Sequence, residues 1–209
     1  MSQNNYNVGV IGKKIKSSIN VNVLKNLIKK ITKYYSIING TQKLLIGSAS
    51  SIYLTGTLEK LFKLIFNTSN NQIETINDLI ISLSSNKKLL KLFLPFLLHH
   101  VVKTEYIQTN FIKNHKTSKY IKTSMFQNIL DTYKITNIKL TNELGDFLCK
   151  MFYYISRKII LTSIRLTYNT FRKTLYTCDI EIAIMSIIPQ SIATTMIRKG
   201  TTYVINYSS

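Results

Sequence analysis

Few residues in this 209-residue chain have the types and spacing that catalysis requires. The three histidines are His99, His100 and His115, and no set of carboxylates or thiols lies close to them as a metal site would need. Cys149 and Cys178 are far apart and lack the paired spacing of a zinc site. Both sit among apolar residues, which predicts buried, reduced thiols in an intracellular protein. Gly9-Val10-Ile11-Gly12-Lys13-Lys14 has some character of a phosphate-binding loop. It lacks the four-residue gap between glycines and the Ser or Thr after the lysine that such a loop uses. Glu143 and Asp146 fall one turn apart where a helix should begin, and attraction to the helix dipole accounts for them without catalysis. No enzymatic activity, metal or cofactor is expected.

The cations are the chemically informative group. Lys and Arg number 28 against 9 Asp and Glu, a formal charge of +19 and a pI near 9.9. An excess this large repels itself unless a polyanion neutralises it. It is spread along the chain: residues 1–116 hold 16 cations against 4 anions, and residues 117–209 hold 12 against 5. Nucleic acid, a ribosome or an anionic membrane surface are the candidate partners. The first twenty residues lack the apolar core and cleavage site of a secretory signal. The greasiest run, Leu89 to Val102, carries Lys91, Pro95 and two histidines and is too short to span a bilayer. A soluble protein is expected.

Helices must position these cations. With 45% hydrophobic residues but only 7 Gly and 2 Pro, the composition suits long helices and short loops. From Val21 the apolar residues Val21, Leu24, Leu27, Ile28 and Ile31 follow helical spacing, with Lys25, Lys29, Lys30 and Lys33 between them. Asn39-Gly40 marks a turn. A second helix runs from Ile52 to about Asn67 after the small residues Gly47 to Ser51. Thr75-Ile76-Asn77-Asp78 has capping-box spacing and opens a short helix to Leu83. Lys87 to Leu94 forms another. The plan then repeats: a short helix Tyr120 to Leu130, a long one opened by Thr141 and running to about Tyr168, a basic loop, a short helix capped by Thr177 with Asp179 in its first turn, and a final helix from Pro189 to about Ile205. A repeat of this length is one supersecondary unit used twice. Each long helix carries an apolar stripe that its own unit cannot cover, so the two units must pack on each other.

Gly47 to Ile65, GSASSIYLTGTLEKLFKLI, resembles the start of the long helix of histone 2A, through Gly47, Ile52-Tyr53-Leu54, Leu58-Glu59 and Leu61. Glu74 to Phe93 resembles the short helices that follow it. Ile187 to Ser209, IIPQSIATTMIRKGTTYVINYSS, resembles the end of histone 2B without a gap, through Pro189, Ala193, Gly200-Thr201, Val204, Tyr207 and Ser208. Tyr168-Asn169 and Arg172-Lys173-Thr174 stand where that family has its basic second loop. The chain therefore resembles a fused core-histone doublet of the kind known chiefly from large DNA viruses.

The resemblance implies an all-α architecture of two histone folds in tandem, joined in an intramolecular handshake. Its expected parts are a basic tail 1–18, a 2A-like fold 19–93, a linker 94–117 and a 2B-like fold 118–209. It implies a DNA-packaging protein that wraps double-stranded DNA without base specificity, together with a histone 3–histone 4-type partner. Localisation would be the virion and the host nucleus or viral factory if the source is viral, and chromatin if it is cellular. Helix starts, main-chain amides and inserted arginines would hold the phosphates. The expected DNA-binding residues are Lys25, Lys29 and Lys30 on the first helix, Lys43 beside the second-half loop of Arg172, Lys173 and Thr174, and Lys119 and Lys122 flanking the first helix of the second half. Arg172 is the expected minor-groove arginine, and Tyr168 with the helices from Asn169 to Pro189 would face the partner histone.

The chain also departs from the family. Asn70, Asn71 and Gln72 stand where basic residues are usual. Of the positions that form the acidic patch of 2A–2B surfaces, only Glu59 is acidic; the others are Leu64, Asn67, Asn86, Lys87, Lys88, Ser191 and Lys199. Arginine-anchored partners of ordinary nucleosomes are not expected to dock. The alternative reading is a basic RNA-binding or ribosomal protein of an AT-rich genome, which predicts helices and cations but no twofold repeat.

Overall fold

The computed structural model describes residues 17–68, 71–101 and 121–208. These residues are mostly helical. In chain order they form α1 (Val21–Asn39), β1 (Leu45–Ile46), α2 (Ser50–Phe66), α3 (Ile76–Ser85), α4 (Lys87–Val101), α5 (Thr123–Tyr133), α6 (Asn142–Asn169), β2 (Thr174–Leu175), α7 (Thr177–Ile187) and α8 (Gln190–Ser208).

Local chemistry sets most of the boundaries. The Asn20 side chain accepts from the Asn22 amide at the start of α1, and Gly40, with φ 58, closes the helix in the left-handed conformation that glycine adopts without steric cost. Thr75 and Asp78 form the reciprocal capping box ahead of α3. Thr141 caps α6 through the Leu144 amide. At α7 the expected cap shifts by one residue. Thr177 is the first helical residue, and Asp179 reaches back to the Tyr176 amide at 2.9 Å.

The expected end of α4 at Leu94 is corrected. Pro95 lies inside the helix, which continues to Val101, so residues 94–101 belong to the packed fold and not to a linker. A proline disfavours helix in the residue before it. Burial outweighs that preference here: Phe96 and Leu97 are buried, and the Phe96 ring lies 5.3 Å from Phe147 and 5.4 Å from Tyr154. Among the described residues no helix is long and apolar enough to cross a membrane.

The two halves are interlocked through their connections. β1 pairs in parallel with β2, Leu45 opposite Thr174 and Ile46 opposite Leu175. Ile73 bridges in parallel to Ile138. The segment between α1 and α2 thus pairs with the one between α6 and α7, and the segment between α2 and α3 with the one between α5 and α6. The relation is reciprocal. Between these paired ends, Phe62 of α2 meets Phe126 of α5 and Phe152 of α6, each at 5.3 Å between ring centroids. Both halves share one apolar core. α8 lies along α2 in close contact. A Cβ at Gly56 would approach Tyr203 Cγ to 2.8 Å, and one at Gly200 would approach Thr57 Cγ2 to 2.7 Å. This packing leaves α2 buried over nearly its whole length.

Candidate nucleic-acid interface

The paired strands bring three of the expected cations, Lys43, Arg172 and Lys173, onto adjoining segments. The Leu45 amide donates to the Lys173 carbonyl at 2.9 Å, and the Gly47 amide to the Leu175 carbonyl at 2.9 Å. Lys43 and Lys173 are exposed on the two adjoining loops, while Thr174 is half-buried in β2. α2 and α7 both begin directly after these strands. Ser50, the first residue of α2, donates through its hydroxyl to the Leu175 carbonyl at 2.9 Å. Two helix starts, with their partial positive charge, therefore flank the lysines.

Arg172 is engaged within the fold. Its guanidinium is hydrogen-bonded to Asp179, which is 0% exposed, and Nε donates to the Thr170 hydroxyl at 2.9 Å. A buried carboxylate must be paired. Arg172 fastens the loop to α7, and that ion pair offsets much of the charge it would offer a phosphate. Lys173, next to it, is exposed to solvent.

Lys25, Lys29 and Lys30 are exposed on α1, as is Lys33. Lys30 also borders a groove of about 280 Å³ between α1 and α6, with Tyr34, Tyr35, Tyr153, Arg157 and Arg165. The groove contains no carboxylate. Burial raises the pKa of the Tyr153 phenol, and the Arg157 charge partly opposes the rise. Arg157 and Arg165 were not foreseen. Their signal was present: Tyr153, Arg157, Leu161 and Arg165 recur every fourth residue and form one stripe of α6.

This groove connects to the loop cations. Tyr35 stacks on Tyr168 at 5.6 Å, and the Tyr168 hydroxyl donates to the Gln42 carbonyl, next to Lys43. Tyr168 thereby joins α6 to the first half. The Tyr35–Tyr168 stack and the Tyr168–Gln42 hydrogen bond thus link the groove bordered by Lys30, Arg157 and Arg165 to the paired loops that carry Lys43 and Lys173.

The opposite paired end is weaker in charge. Beside the Ile73–Ile138 bridge, Lys139 forms an exposed ion pair with Glu74 at 3.4 Å. Lys122 is exposed just before α5. Lys119, Asn70, His115, the Gly9–Lys14 segment and most of the expected tail and linker lie outside the described residues. Ser17 and Ser18 are described and are hydrogen-bonded to the fold.

Both serines bind Glu59. This carboxylate is 1% exposed. Oε2 accepts from the Ser18 amide at 2.9 Å and the Ser17 hydroxyl at 3.1 Å; Oε1 accepts from the Tyr133 hydroxyl at 2.6 Å and the Tyr203 hydroxyl at 2.7 Å. Burial raises both phenols' pKa values, and the neighbouring carboxylate raises them further. Lysines cover the knot: Lys63 lies 3.9 Å from the Tyr133 ring centre and Lys199 5.0 Å from that of Tyr203. Burial and the charges of Lys60 and Lys199 lower the Lys63 pKa. Lys88 donates to Ser191 at 3.0 Å nearby on α8. The face formed by α2 and α8 thus presents cations, with its single carboxylate sealed beneath them.

Among the described residues, no cluster of His, Cys, Asp and Glu could hold a metal ion. Comparison with protein-family models, with curated proteins and with solved structures finds no match to this chain.

Proposed function

We propose that this chain is a histone-like DNA-packaging protein: two histone folds in tandem, interlocked as a handshake, doing the work of one 2A–2B heterodimer. The observation that carries the reading is the run of linked, cation-bearing elements from the α1–α6 groove to the strand-paired loops, beside the starts of α2 and α7. Consecutive phosphates on one side of a bent duplex match such a run, and none of its contacts would read bases. The reciprocal pairing of the four connecting segments supports the twofold character of the fold.

Wrapping would need a histone 3–histone 4-type partner. An exposed apolar face of α7 supports this: Ile182 is 45% and Met185 54% exposed, with Cys178 on the same face at helical spacing. Partners that anchor an arginine on an acidic patch would find no exposed carboxylate at Glu59.

The test is reconstitution with a histone 3–histone 4-type partner and duplex DNA, followed by nuclease digestion. A discrete protected fragment is expected. A smear, or tighter binding to structured RNA than to duplex DNA in a parallel gel shift, would overturn the reading in favour of general coating or RNA binding.

A further inference from the structure

At the tip of the α6–β2 loop the chain shows an unusual residue choice. α6 ends in a Schellman turn: the Phe171 amide donates to the Tyr168 carbonyl at 2.9 Å, and the Arg172 amide to the Thr167 carbonyl at 3.1 Å. The residue in the left-handed position of such a turn is usually glycine. Here it is Phe171, with φ 53. A bulky side chain is sterically penalised there. The ring gains no burial in return, being 95% exposed, the most exposed of the large hydrophobic residues described. The corresponding left-handed position after α5 is held by Lys134, φ 52, a polar residue suited to water. Two unfavourable features thus meet at one residue, and among the described residues no contact offsets either. Strain retained at an exposed position points to a ligand.

The surroundings indicate which ligand. Exposed Lys173 lies two residues on, and Lys43 lies on the loop paired beside it. Cations hold a phosphate backbone, whereas a phenyl ring has nothing to gain from phosphate and is matched by the stacked faces of bases. Apolar side chains inserted between base steps from the minor groove kink duplexes in this way. We propose that Phe171 is a wedge that enters the minor groove and partly unstacks one base step, fixing a kink where the duplex crosses the paired strands. The inference rests on the DNA-packaging reading.

The full chain would be titrated onto duplexes carrying 2-aminopurine at successive positions, with binding followed separately by anisotropy. Wild type should raise the fluorescence roughly twofold or more at one or a few positions, as an unstacked base does. Phe171→Gly should abolish the rise while still binding duplex DNA. Because glycine relieves the left-handed strain, this variant should melt at the same temperature or about 2–4 °C higher, so misfolding cannot mimic the loss. Phe171→Leu should keep part of the rise. An equal rise with Phe171→Gly, or binding by wild type with no rise at any position, overturns the wedge alone. Absence of duplex binding by wild type overturns the packaging reading, and the wedge with it. Protection of Phe171 by a histone 3–histone 4-type partner without DNA would assign the ring to a protein interface instead.

Discussion

Replacing Glu59 with leucine tests the most connected polar group in the molecule. The carboxylate accepts four hydrogen bonds, from the Ser17 hydroxyl, the Ser18 amide, the Tyr133 hydroxyl and the Tyr203 hydroxyl. Leucine fills most of the volume and accepts none of them. Ser17 and Tyr133 are only half-buried and can turn to water. The Ser18 amide and the Tyr203 hydroxyl, in residues 7% and 4% exposed, cannot. A buried donor left without a partner costs about 1–3 kcal/mol, so the two together cost about 2–6 kcal/mol. Part of this is offset because a carboxylate no longer has to be kept out of water. We expect a net loss of about 3 kcal/mol, which for a chain of this length lowers the melting temperature by roughly 6–12 °C. Scanning calorimetry or circular dichroism melting measures it. Adding Tyr203→Phe to Glu59→Leu removes one orphaned hydroxyl and should restore about 1 kcal/mol or more. A Glu59→Leu midpoint within about 1 °C of wild type would refute the reasoning. So would a double variant that melts below the single one.

The two arms of the basic loop should separate. Lys173→Ala should weaken duplex binding for all sequences alike and flatten its salt dependence by about one phosphate, with an unchanged melting temperature. Arg172→Ala should instead lower the midpoint of denaturant unfolding, because it strands the buried Asp179 carboxylate. The cysteines should label unequally. Burial pushes the Cys149 thiol up to about 11, leaving roughly a thousandth of it ionised at pH 8, so iodoacetamide followed by mass spectrometry should modify exposed Cys178 first. Gly56→Ala should lower stability by about 1–2 kcal/mol, measured by urea denaturation, despite alanine's better helix propensity, because its Cβ would collide with Tyr203 and the Lys199 carbonyl.

The sequence by itself determined the helices and the charge. Spacing of apolar residues every three or four positions marked the first helix, and short-range caps at Thr75 and Thr141 marked starts within a residue, since those hydrogen bonds form between near neighbours. The excess of lysine and arginine was visible in composition alone. Long-range packing decided the rest. It carried α4 through Pro95, because Phe96 had an aromatic pocket to fill. It made Arg172 the partner of buried Asp179 and Tyr168 a link between the halves. It placed Arg157 and Arg165 opposite Lys30, and it buried Glu59 under lysines. These outcomes depend on which side chains meet across more than forty residues of sequence or on how deeply a charge is removed from water. Neither quantity is encoded in local spacing, so only the folded arrangement of the two halves could fix them.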